Sequence, residues 1–200
     1  MILEHVWGLF SHPKEEWESI RHSHCTVGRC YAVHVLLLAA IPAVAGYVGT
    51  TQVGWTIGAG DPVKLATDSA GPISALFYLC MLVGVYSIGM MIHWMGQTYG
   101  ANPVRSQCVI LAAYTATPLF LIGITGFFPI LWLMLILGLP ALAYTVFLLY
   151  TGLPIMMDID PERGFLFSSA VLGVGLVALV ALLAATALLW GMGLEPQFTR

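Results

Sequence analysis

Five long apolar runs without a single Asp, Glu, Lys or Arg dominate this chain: Cys30–Thr50, Ile73–Met95, Ser106–Phe128, Pro129–Tyr150 and Phe165–Gly191. Each is close to or above the ~20 residues with which a helix crosses a ~30 Å hydrocarbon core. Hydrophobic residues make up 59% of the chain and charged residues only 8%, against about 25% charged in ordinary soluble domains. A soluble fold is therefore excluded. The expected fold class is all-α, a polytopic membrane bundle of five transmembrane helices preceded by short amphipathic interfacial helices. Residues 1–29 form the expected interfacial segment, 30–192 the membrane domain and 193–200 a short external tail.

Basic residues set the expected orientation, because orientation follows Lys and Arg rather than net charge. Lys14, Arg21 and Arg29 precede the first run, Arg105 lies between the second and third, and Arg163 between the fourth and fifth. Only Lys64 and Arg200 fall on the other side. The expectation is an N-terminus in the cytoplasm and a C-terminus outside. Met1–His12 lacks the basic start and small-residue cleavage site of a signal peptide, so the first span is read as the targeting signal. Cys25 and Cys30 are then expected to stay reduced, and Cys80 and Cys108 to act as small apolar side chains within spans.

Punctuation along the chain refines the elements. Leu3, Val6, Trp7 and Phe10 recur at helical spacing and predict an interfacial helix anchored by Trp7, with Glu4 and His5 on its other face. Pro13 suits the first position of a second helix, Glu15 and Glu16 suit its positive end, and Trp17 and Ile20 form its apolar stripe. Ser106–Tyr150 would make one helix about 67 Å long, twice the bilayer, so a break is expected at Gly126–Pro129. The loop Thr51–Pro72 is read as irregular, with Trp55 at the interface and helix starts at Asp61-Pro62 and Asp68-Ser69. Asp160 followed by Pro161 marks the start of the last helix.

Membrane-embedded charge is absent, and chains keep such charge for ion coupling and voltage sensing. An ion-coupled pump is therefore disfavoured. Mild polarity remains in the third run, where Tyr114, Thr115, Thr117 and Pro118 cluster, with Tyr86 and Tyr144 expected to meet them across the bundle. Proline removes a helical hydrogen bond that threonine hydroxyls can replace. Glue between helices is the bland reading of this cluster, and a substrate path is the sharper one. A second constellation, His22, His24, Cys25, Cys30 and His34, offers imidazole and thiol ligands to Zn²⁺ or Cu⁺. Its spacing fits no standard zinc motif, and the favoured expectation is no cofactor. The alternating carboxylates Asp158, Asp160 and Glu162 lack the glycine and terminal glutamate of a calcium loop, which leaves helix capping as their role. No phosphate loop, nucleophile elbow or basic nucleic-acid patch occurs, so neither an enzyme nor a nucleic-acid partner is expected.

Several motifs together resemble the Yip domain family of Ypt/Rab-interacting membrane proteins. They are Leu9-Phe10-Ser11-His12-Pro13-Lys14-Glu15-Glu16-Trp17-Glu18-Ser19-Ile20, then Tyr114-Thr115-Ala116-Thr117-Pro118, then Tyr144 to Tyr150 with Thr151-Gly152-Leu153-Pro154, and Pro161-Glu162-Arg163-Gly164. The likeness spans nearly the whole chain and implies Pro13, Trp17, Tyr150, Gly152, Pro154, Pro161 and Gly164 as motif residues. It implies five spans, and it is strongest to short bacterial inner-membrane members. Eukaryotic members of the family carry a long cytoplasmic N-terminal region and act with Rab-type GTPases; only about thirty residues precede the first run here, so GTPase binding is not carried over. The resulting expectation is a non-enzymatic membrane protein that organises lipids or partner proteins. Its expected partners are the bilayer and a second copy or other membrane proteins. The alternatives are a passive or gated transporter of a small or lipid-like substrate and a metal sensor at His22–His34.

Overall fold

A computed structural model describes residues 2–23, 28, 31–55, 62–101, 103–192 and 196–199. Two short helices, α1 (Ile2–Ser11) and α2 (Pro13–His22), form an N-terminal hairpin. The first span is α3 (Leu36–Val48), extended by wider helical turns over Tyr31–Val35 and Gly49–Val53. The second span is α4 (Thr67–Gly96). The third is α5 (Arg105–Thr115) continued by α6 (Thr117–Ile122) and a tight turn at Gly123–Phe127. The fourth is α7 (Leu131–Met157) and the fifth α8 (Pro161–Gly191). The five membrane spans run Val33–Val53, Thr67–Gly96, Arg105–Phe127, Leu131–Met157 and Pro161–Leu188.

The third span is the axis of the bundle. Cys108 and Leu111 are fully buried and Tyr114 nearly so, whereas α7 and α8 turn much of their length outward. Lipid gives helices no hydrophobic reason to associate, so contact depends on close packing through small residues. At Gly89 of α4 a Cβ would lie 2.7 Å from the Val109 Cα of α5, and that closeness lets the two backbones meet. On the far side of the bundle, β1 (Lys64–Leu65) pairs antiparallel with β2 (Phe198–Thr199), matching Lys64 with Thr199 and Leu65 with Phe198.

Several sequence expectations are corrected. α7 does not stop near Tyr150 but runs through Pro154 to Met157, because α2 docks along this added stretch and supplies its packing partner. It ends at Asp158, the one described non-glycine residue with positive φ, at 55°. Pro62 opens no helix; Trp55 and Val63 form a bridge there, and Trp55 lies edge-on to Phe198, with ring centroids 5.7 Å apart. Asp61 lies outside the described residues, and Asp68 sits in the first turn of α4.

α1 is corrected in part. Its helix and the exposed Trp7, at 77%, are as expected, but Leu9 is completely buried and His5 faces the bundle rather than water. Tyr144 donates its hydroxyl to the Leu9 carbonyl at 2.7 Å and stacks on Phe10. α2 behaves as its stripe predicts, with Trp17 and Ile20 buried. Arg21 closes the dock by donating to the Ile155 carbonyl at 3.1 Å and to Asp158 at 3.0 Å.

Gly152 is where the hairpin and bundle meet most closely, since any Cβ there would intrude on the Trp17 indole. Gly152→Leu is expected to undock α2. Hydrogen exchange over Pro13–His22 should rise toward the rate of an exposed peptide while α4 and α5 stay protected. Trp17→Ala empties the same contact and should cost about 3–5 kcal/mol in detergent unfolding.

Candidate functional site

The polar cluster of the third span is placed by a proline. Pro118 has no N–H for the Tyr114 carbonyl four residues back, and the helix breaks at Ala116 between α5 and α6. The break presents Thr117 and Tyr114 toward the start of the first span. Thr117 Oγ1 lies 2.9 Å from His34 Nε2, with Thr117 0% and His34 2% exposed. The His34 ring packs on Tyr114, centroids 4.3 Å apart at 45°. From the other side His5 approaches Tyr114 edge-on at 6.0 Å, and the Glu16 carboxylate hydrogen-bonds His5. A continuous series of contacts thus runs from α2 through α1 into the middle of the bundle.

His34 is the residue whose partner sequence reasoning did not foresee. Its spacing from Cys30 suggests a shared ligand face; Cys30 lies outside the described residues, and His34 Nε2 pairs with the Thr117 hydroxyl. A lone imidazole one turn into an apolar run was the available signal, since such a group needs a buried partner. His22 lies exposed at the end of α2, well separated in role from His34. His24, Cys25 and Cys30 lie outside the described residues, and among those described no three His, Cys, Asp or Glu side chains gather as metal ligands.

The remaining cluster members go separate ways. The Thr117 hydroxyl pairs with the His34 ring, and among the described residues no bond to a freed carbonyl accompanies it. Among the described residues the Thr115 hydroxyl is buried without a partner, as are Trp17 Nε1 and the Ser168 hydroxyl. Tyr86 stays away from Tyr114: it is 50% exposed and edge-on to Tyr31. Tyr144 spends its hydroxyl on α1 instead. Two open surface cavities lie elsewhere. One of about 310 Å³ is lined by Gly100, Asp158, Ile159, Asp160, Pro161 and Arg163, and one of about 210 Å³ by His12, Pro13, Lys14, Glu15 and Phe147.

The residues quoted for the family resemblance meet one another in space. Pro13 opens α2, Trp17 rests on Gly152, and Pro154 fills the space over Gly164, where a Cβ would lie 2.6 Å from its own Cβ. Tyr150 and Ser169 share a hydrogen bond at 2.8 Å, and Pro161 opens α8. The Yip1 domain matches residues 7–182. This chain belongs to the Yip1 domain family. It is 44% identical over 191 residues to the inner membrane protein YohC of Escherichia coli K12, covering 96% of this chain and 98% of that protein. The same identity and coverage hold for YohC of Escherichia coli O6:H1. No solved structure matches the chain.

In this Yip1-domain chain the His34–Thr117 bond ties three segments together: the lead-in to α3, the α5–α6 break and, through Tyr114, α1. A buried hydrogen bond nets about 1 kcal/mol, but orphaning one partner costs about 1–3 kcal/mol. Thr117→Val keeps the shape and strands the imidazole, so a loss of about 1–3 kcal/mol in unfolding free energy is expected. The double variant His34→Leu with Thr117→Val should recover part of it. A double-mutant cycle by detergent denaturation checks both values.

Proposed function

We propose that this protein is a non-enzymatic, multi-pass protein of the bacterial inner membrane that organises lipids or partner proteins through its bundle and its docked N-terminal hairpin. The observation that carries this reading is the closure of the polar cluster. Tyr114, Thr117 and His34 are each at most 2% exposed, and none of them lines either of the two surface cavities described above. A carrier needs a wet path to such groups. Long apolar faces of α7 and α8 meet lipid instead, and a similar protein bears the description of an inner membrane protein.

Native mass spectrometry of the protein released from native-membrane nanodiscs tests this reading. A retained lipid or a second subunit is the expected result. A bare monomer that releases a small encapsulated solute from vesicles would replace the organiser with a transporter.

The proposed orientation places the N-terminus in the cytoplasm and the C-terminus in the periplasm. Arg21, Arg105 and Arg163 lie at one end of the bundle with the hairpin, while Lys64 lies at the other with β1, which fits the bias of basic residues toward the cytoplasm. A C-terminal alkaline phosphatase fusion should then be active in cells, and a C-terminal green fluorescent protein fusion dark.

A further inference from the structure

The lipid-facing wall of the bundle is not equally tall on all sides. On α4, exposed apolar residues run from Ile73 to Trp94, about 33 Å at ~1.5 Å per residue. On α8 they run from Phe165 to Trp190, about 39 Å on the same rise. On α7 they begin at Leu131 and end at Phe147, about 25 Å on that rise and short of the ~30 Å hydrocarbon core. Beyond Phe147, Leu148, Leu149, Gly152 and Leu153 are buried.

The hairpin causes this shortening. α2 runs alongside the last third of α7, with Lys14 and Glu15 beside Phe147, Trp17 on Gly152 and Arg21 at Asp158. Its outer face is polar throughout: Lys14, Glu15, Glu18, Ser19 and His22 are exposed. The hairpin turn reaches deeper still, since Leu9 meets Tyr144 halfway along α7. The first span begins low as well. Tyr31 donates its hydroxyl to the Leu82 carbonyl, about 21 Å below the end of α4 at Gly96 by the ~1.5 Å rise.

The hydrocarbon can reach past Leu131 only to the exposed Phe128 and Ile130 of the three-residue connection after the Gly123–Phe127 turn, and a core shifted that way would leave the exposed Phe165 and Leu166 of α8 outside it. A core of ~30 Å measured from Leu131 would end near Tyr150, about 5 Å beyond Phe147, the residue that lines a surface cavity together with Lys14 and Glu15. A bilayer meets such a mismatch by thinning or by drawing head groups down.

We propose that the N-terminal hairpin forms a polar ledge that thins the adjoining leaflet on the α7 flank, while α4 and α8 hold the bilayer at full height. Phospholipid is the partner: head groups and water descend to Lys14 and Glu15 on this flank alone. This deepens the lipid-organising reading and rests on it by naming how lipid is organised.

The register of α7 against α8 supplies a matched control. Tyr150 bonds Ser169, so Phe147 and Gly173 lie at nearly the same depth. Gly173 is exposed, and a Cβ there meets nothing within 4 Å. Lys14→Cys, Glu15→Cys and Gly173→Cys are made singly in a chain with Cys25, Cys30, Cys80 and Cys108 changed to Ala. Each is placed in phosphatidylcholine nanodiscs, open on both faces, and reacted with a charged maleimide.

Lys14→Cys and Glu15→Cys are expected to react roughly tenfold or more faster than Gly173→Cys, the ratio that ~1.4 kcal/mol of differential water access produces. Equal slow reaction at all three would overturn the ledge, since the hairpin would sit in undisturbed hydrocarbon. Equal fast reaction would overturn it too, since the whole bundle would lie shifted in the membrane. Labelling after denaturation in sodium dodecyl sulfate, where all three should react alike, separates a chemically blocked thiol from one shielded by the membrane. The readout needs no retained lipid, so it can fail while the mass-spectrometric test of lipid organisation succeeds, and the reverse.

Discussion

Lipid offers a backbone no hydrogen-bond partner and offers helices no hydrophobic drive to associate. Everything in this bundle answers that pair of constraints. The first makes every span helical. The second leaves helix association to close approach and to a few polar contacts, so small gaps on the helix surface matter more than apolar area. Gly89 against Val109 and Gly152 against Trp17 are such gaps. The wide apolar faces of α7 and α8, by contrast, remain turned toward lipid.

The N-terminal hairpin shows how the two constraints combine. Its charged face cannot enter the bundle, and its Trp17 and Ile20 cannot stay in water without cost. Docking on the added turns of α7 satisfies both. That same dock puts His5 beside Tyr114 and so connects the half-buried Glu16 with the buried His34–Thr117 pair. One element therefore settles the shape of the membrane-facing wall and the closure of the polar site.

The order of elements was legible because each is encoded locally. Runs without charge announce spans, Pro13 and Pro161 announce helix starts, and the Trp17–Ile20 stripe announces a buried face. The extension of α7 to Met157 was not legible. Tyr150–Met157 carries Thr151, Gly152 and Pro154, which locally argue for an ending, and only a partner helix far away in sequence makes continuation favourable. The site was half legible for the same reason. Thr117 and Pro118 stand out within their own span, but His34 lies 83 residues from Thr117 along the chain, and no local pattern announces the bond.

Composition and periodicity alone determined that this is a five-span membrane protein, because transfer into lipid depends on residues added up along one helix. Family motifs spread over most of the chain determined its kinship with the Yip1 domain. Tertiary structure alone decided that the hairpin rests against the bundle, that Tyr86 and Tyr144 leave the cluster, and that His34 completes it. Those outcomes depend on which surfaces meet across the bundle, and helices in lipid choose partners by shape and by scarce polar contacts rather than by any running property of the sequence.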